Sequence, residues 1–140
     1  MLKLRLFSVG DLPRGPYADI REELLKPIKQ YAQIEHVVVK DVEAFAKHLT
    51  SDAFTIVLDE GGKTFTSTGF AQYIKALEDS GRHIDVFLGG AFGIPDALKH
   101  SADLRLSLSP MTTTHDLAHI FFIEQLYRAC TINAGKKYHY

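Results

Sequence analysis

The stretch Ile84-Asp85-Val86-Phe87-Leu88-Gly89-Gly90-Ala91-Phe92-Gly93 joins a short apolar run directly to a glycine loop. An apolar run bounded by glycine reads as a buried strand, and Gly-Gly-x-x-Gly demands a backbone that turns tightly or lies close against something else. Upstream, Phe54 to Leu58 has the same character and stops at Asp59-Glu60-Gly61-Gly62, where acids and glycines predict a turn. A helix from Ser67 to Ser80 is expected between the two strands.

Farther out, Leu4 and Leu6 alternate with polar positions over residues 2 to 8, then Gly10-Asp11-Leu12-Pro13 marks a turn, so a first strand is expected there. Tyr17, Ile20, Leu24, Leu25, Ile28 and Tyr31 recur at helical spacing from Pro16 to Tyr31, with Pro27 placed to bend the helix. Ile34 to Val39 reads as a second strand, and Val42 to Leu49 as a short helix capped by Asp41. Downstream lie a brief helix near Pro95 to Lys99, a strand at Leu104 to Leu106 and a long helix from Leu117 to Ile132. Strands alternating with helices predict an α/β fold, a mostly parallel sheet with helices on both faces, in one domain spanning residues 1–140. Ligands bind such sheets beyond the carboxyl ends of the strands, where Leu58 to Gly62, Gly89 to Gly93 and Ser107 to Thr113 all fall.

Composition narrows the function classes. With 46% hydrophobic residues the chain has material for one core, and no run is long and apolar enough to span a bilayer. Met1 to Leu6 alternates apolar and basic residues instead of building a secretory signal, so a cytoplasmic protein without membrane contact is expected. A net charge of -1 counts against free RNA or DNA as a partner, although Lys99-His100, Arg105, Arg128 and Lys136-Lys137 gather basic charge locally. The lone Cys130 reads as a small core side chain. The seven histidines form no tight ligand cluster, so no metal is expected, and only His115 and His119 share a helix face.

The loops carry the chemistry. The glycine loop lacks the spacing and the Lys-Ser/Thr of a phosphate-binding loop, and its freed backbone suits either an adenine edge or a plain tight turn. Ser107, Ser109, Thr112, Thr113 and Thr114 around Met111 form either a pocket wall or a helix cap. No Gly-x-Ser-x-Gly elbow supports a hydrolase. The terminal Tyr138-His139-Tyr140, with Arg128 on the preceding helix, could stack on and pair with an exposed nucleotide, or pack on a neighbour.

The ordered set Gly89-Gly90-x-x-Gly93, Leu108-Ser109-x-Met111-Thr112-x-x-His115, Glu124-Gln125-x-Tyr127-Arg128-Ala129 and Gly135-x-x-Tyr138-His139 closely resembles the ribosomal RNA large subunit methyltransferase H family of SPOUT methyltransferases. Leu6 to Gly10, Val57-Leu58-Asp59 and Ser67 to Ala71 are similar to that family's N-terminal landmarks. The resemblance implies a SPOUT fold with a C-terminal trefoil knot, a homodimer, and methyl transfer to N3 of a pseudouridine in a 23S rRNA stem-loop on assembled ribosomes. It implies S-adenosyl-L-methionine bound by Leu58, Gly89, Gly90, Gly93, Leu108, Ser109, Pro110, Met111, Thr112 and Thr113, and catalytic roles for Arg128, Tyr138 and His139. His119 stands where the family usually has Arg, Thr114 where Pro is frequent, and Tyr140 where a basic residue commonly follows, departures that bear on RNA contact. A catalytically inactive ribosome-binding or assembly factor of the same fold is the alternative, and an unrelated small-molecule-binding α/β domain ranks last.

Overall fold

The computed structural model describes residues 1–50, 52–90 and 93–139. The elements run β1 (Leu2–Val9), α1 (Pro16–Ile28), β2 (Ala32–Val39), a 3-10 helix (Val42–His48), β3 (Phe54–Lys63), α2 (Ser67–Ser80), β4 (Ile84–Leu88), α3 (Asp96–Ser101), β5 (Leu104–Leu106) and α4 (His115–Asn133). The strands form one sheet in the order β2-β1-β4-β3-β5, and every pairing is parallel. All five residues of β4, at the centre, are buried, as a strand covered on both faces must be.

Side chains alternate across the sheet and create two cores. Leu2, Leu4, Leu6, Ile56, Ile84, Val86 and Leu88 face α1, α2 and α4, whose Ile28, Phe70, Ile74, Phe122, Ile123 and Leu126 close over them. Phe7, Val57 and Phe87 face the other way, against Phe45 of the 3-10 helix and Ile94 and Leu98 at α3. Helices therefore cover both faces. On the thinner side Asp85, 1% exposed, is held by the Arg5 guanidinium through bonds of 2.8 and 2.6 Å from the facing register position.

Element ends follow local chemistry. The Thr66 hydroxyl caps α2 by accepting from the Gly69 amide, and Gly81 ends it with φ +75. The Asp41 carboxylate caps the 3-10 helix through the Ala44 amide, as the sequence predicts. Pro27 shortens α1, which stops at Ile28, and β2 starts earlier than expected, at Ala32. The turn expected at Asp59 to Gly62 is a continuation of β3 to Lys63, with an irregularity between Leu58 and Lys63 that restores pairing to β5 at Leu106. Its physical reason is close backbone approach: a Cβ on Gly62 would lie 2.5 Å from the Arg105 carbonyl oxygen.

Candidate active site

Beyond the carboxyl ends of β3, β4 and β5 lies a pocket of about 620 Å³. Leu58, Gly89, Gly90, Gly93, Leu108, Ser109, Met111, Thr112 and Thr113 all line it. Pro110 belongs to the same loop but is exposed and not part of the wall. Ala91 and Phe92 of the glycine motif lie outside the described residues.

The glycines shape this wall by proximity. Gly90 and Gly93 pair in an isolated antiparallel bridge, the Gly93 amide donating to the Gly90 carbonyl at 3.0 Å. Gly93 has φ +75, and a Cβ on Gly89 would stand 2.5 Å from the Gly93 carbonyl carbon. The turn is thus folded back on itself more tightly than any side chain permits. His115, in the first turn of α4, clips it in place: its Nδ1 lies 2.9 Å from the Gly89 carbonyl, which requires Nδ1 to carry the proton.

Part of the wall is polar: the Thr112 hydroxyl donates to the Glu60 carboxylate, and behind it Ser107 donates to the Glu60 carbonyl at 3.0 Å. Thr114 caps α4 by accepting from the Leu117 amide, so the hydroxyl-rich loop supplies both a pocket wall and a cap. Asp59 sits between Lys99 at 3.8 Å and Arg105 at 3.7 Å. The locally basic residues of this region therefore face a carboxylate instead of forming an unpaired cationic patch.

A second polar group forms near the end of α4. Glu124 Oε1 accepts from Arg128 Nη2 at 2.7 Å and from the Tyr138 hydroxyl at 3.0 Å, while Oε2 accepts from Gln125 Nε2 at 2.8 Å. Arg128 Nη1 lies 3.1 Å from His139 Nδ1, and its guanidinium covers the Tyr138 ring at 4.7 Å. Hydrogen bonding to Glu124 raises the Arg128 pKa further, and burial followed by the bond to Glu124 raises that of Tyr138. Tyr138 is consequently a neutral donor in this arrangement. The three residues expected at the catalytic end are brought together; Glu124, on which they converge, was missed, although its position four residues before Arg128 on a helix signals an ion pair.

His119 takes no part in either group. It is fully buried and accepts from Arg21 Nε at 3.2 Å, with His36 stacked at 6.2 Å. Its ring packs in the core beside Arg21 of α1 and His36 of β2. Burial first, and the Arg21 charge next, push His119 down to about 3 and His36 to about 4. Cys130 is buried, with its thiol pushed up to about 12 by desolvation, as a core cysteine should be. Tyr140 lies outside the described residues.

The sequence model described as "Predicted SPOUT methyltransferase" matches residues 2–139. A protein named "Ribosomal RNA large subunit methyltransferase H" from Coprothermobacter proteolyticus is 40% identical over 139 residues, covering 99% of each chain. Proteins of the same name from Cereibacter sphaeroides and Desulfotalea psychrophila are 37% and 34% identical, again over 99% of both chains. Among solved structures, the SpoU methyltransferase AviRb from Streptomyces viridochromogenes, in complex with AdoMet, is similar with a TM-score of 0.48 and 14% identity, covering 97% of this chain and 59% of that one.

Proposed function

The chain belongs to the SPOUT methyltransferase family, and from that premise we propose that it is an S-adenosylmethionine-dependent methyltransferase of 23S rRNA. Its acceptor is N3 of a pseudouridine in a stem-loop, presented on assembled ribosomes in the cytoplasm. The whole chain, residues 1–140, acts as one domain and works as a homodimer with a knotted C-terminal segment. The observation that carries this reading is the meeting of the glycine turn, the hydroxyl-rich loop and the end of β3 on one pocket, with the Glu124 group on the helix that leaves it.

The pocket suits the donor on its own terms. Its volume of about 620 Å³ is in the range of small-molecule sites, its base is apolar at Leu58, Leu88, Ile94 and Leu106, and Asp59 and Glu60 supply negative charge near a cationic sulfonium. Leu58, Gly89, Gly90, Gly93 and the loop Leu108 to Thr113 would hold S-adenosylmethionine, which supplies an electrophilic methyl group. Gly89 and Gly90 border the pocket in a turn packed against Gly93 and Val9, and Glu60 is held ready by Thr112.

At the acceptor, N3 would lose its proton to solvent water and take the methyl group that the donor, held by those residues, would supply, the carbon–sulfur electron pair staying on sulfur. Arg128 balances the negative charge that develops on the imide, while Tyr138 and His139 orient the base. Tyr138 donates its proton to Glu124 and so does not itself accept one. His139, whose Nδ1 accepts from Arg128, presents Nε2–H outward.

Exposed Ile20 on α1, Val38 on β2 and Leu117 on α4 support the dimer: α1 packs on α4, His36 of β2 meets His119 of α4, and the three apolar side chains are uncovered. Calorimetric titration with S-adenosylmethionine, followed by mass spectrometry of rRNA from ribosomes lacking the modification, tests the reading. One added methyl on a pseudouridine is expected. A folded protein that neither binds the donor nor adds a methyl would refute it.

A further inference from the structure

Every buried side-chain nitrogen or oxygen that lacks a hydrogen-bond partner among the described residues belongs to one group of histidines: Nδ1 of His119, Nε2 of His115 and both ring nitrogens of His36. Buried polar atoms are nearly always satisfied, so four such atoms in one place call for a common cause. His115 and His119 stand four residues apart on α4 with ring centres 6.4 Å apart, and His36 of β2 lies 6.2 Å from His119. The protons on the two α4 rings are fixed by their other nitrogens. Arg21 Nε can only donate, so His119 Nε2 accepts and the single proton of that ring sits on Nδ1. Burial and the Arg21 charge keep the ring from taking a second proton near neutral pH. The Gly89 carbonyl can only accept, so His115 carries its proton on Nδ1, and its buried Nε2 is left as an acceptor. One of the unpartnered atoms is therefore a donor and the next an acceptor.

We propose that one internal water joins His119 Nδ1–H to His115 Nε2, and that Arg21 and His119 are thereby positioning residues for the glycine turn of the large pocket. That the turn receives S-adenosylmethionine rests on the methyltransferase reading above; the relay itself does not. Two hydrogen bonds of about 2.9 Å through one water span rings at this separation, and the two nitrogens do not bond directly. His36 offers the third bond that an internal water typically makes. The chain of contacts then runs from Arg21 on α1 through His119, the water and His115 to the Gly89 carbonyl. His115 lines the pocket, whereas Arg21 and His119 stand outside its wall and act only through it. The benefit is orientation. A ring engaged at both nitrogens turns away from Gly89 only by breaking two bonds instead of one, so the relay stiffens the clip on a turn that a Cβ at Gly89 could not enter.

Long-range proton–nitrogen NMR of the histidine side chains at neutral pH reads the tautomers directly. Both His115 and His119 are expected to carry the proton on Nδ1, the form that an unconstrained histidine favours less, and a crystal structure is expected to show one ordered water within hydrogen-bond distance of His119 Nδ1 and His115 Nε2. His119→Leu removes the relay, and His119→Gln restores an acceptor for Arg21 and a donor for the water. In His119→Leu the His115 Nδ1 proton should exchange faster with solvent. Calorimetry should show S-adenosylmethionine bound about three- to tenfold more weakly, the worth of one hydrogen bond, with kcat at saturating donor within about twofold of wild type. His119→Gln should recover both exchange and affinity. A role in folding alone would lower the unfolding temperature of His119→Leu and leave His115 exchange and donor affinity unchanged, an outcome that overturns the proposal. A wild-type spectrum with the proton on Nε2 of either ring overturns it as well, and that measurement depends on no variant folding. The expected tautomers, exchange and ordered water in a protein that binds no S-adenosylmethionine would uphold the relay and overturn the methyltransferase reading instead.

Discussion

Glu124 is the side chain through which Arg128, Tyr138 and Gln125 share one position, because its two oxygens accept all three bonds. Glu124→Gln keeps the volume and removes the charge. Hydrogen bonds to a charged group contribute about 1.5–3 kcal/mol, so methyl transfer should slow by roughly ten- to a hundredfold. Single-turnover assays should show this while donor affinity, set at the other end of α4, changes little. Histidine chemistry sets a second residue-scale expectation. His36 from β2 and His119 from α4 face the Arg21 guanidinium from α1, and His115 stands next to His119 on its own helix. The half-buried His36 and the buried His119 have pKa values pushed below the ordinary 6.5, to about 4 and about 3, so the unfolded chain binds protons that the folded one refuses. Their neutral state therefore contributes its full stability above about pH 6.5 and loses it as the pH falls toward 4 and below, by at most about 1.4 kcal/mol per unit for each ring. Urea midpoints should drop from pH 7.5 to pH 5, and His119→Phe should flatten the dependence.

Glycine decides the loops at the scale of elements. Gly89 and Gly90 are adjacent and look equivalent, but a Cβ on Gly90 would meet Val9 at an ordinary 3.5 Å, while one on Gly89 would strike Gly93 backbone at 2.5 Å. Gly89→Ala should therefore disrupt the turn and weaken donor binding by about tenfold or more, and Gly90→Ala should bind within a few-fold of wild type; calorimetry separates them. The strands were legible because apolar runs bounded by turn residues are a local signal. β1, β4 and β5 lie where their patterns place them. The extension of β3 through Asp59 to Lys63 was not legible, since acids and glycines signal a turn locally and only the neighbouring Arg105 backbone makes an extended, irregular strand the better solution. Thr114, among the hydroxyl residues that read as either pocket wall or helix cap, is the cap of α4.

For the whole molecule, the sheet order β2-β1-β4-β3-β5 brings β3, β4 and β5 side by side, and so collects three loops distant in sequence around one pocket. The proposed dimer belongs to this scale: Ile20, Val38 and Leu117 are 45%, 46% and 45% exposed, apolar side chains that a second copy would cover. Sedimentation velocity should give a dimer at micromolar concentration. Leu117→Asp should shift it toward monomer, with the fold retained by circular dichroism.

The sequence by itself determined the α/β class, the alternation of strands and helices, and that three loops meet beyond the carboxyl ends of the strands, because apolar periodicity, capping residues and glycine act through neighbours in the chain; the individual pocket residues came from the family resemblance. Its family resemblance pointed to Arg128, Tyr138 and His139 but carried no account of what holds them. Only the tertiary structure decided that Glu124 joins them, that His115 clips Gly89, and that His119 is a core residue beside Arg21. Each of these is a contact between distant positions in the chain. Such contacts are fixed by how helices pack on a sheet, a long-range property on which no local pattern of residues reports.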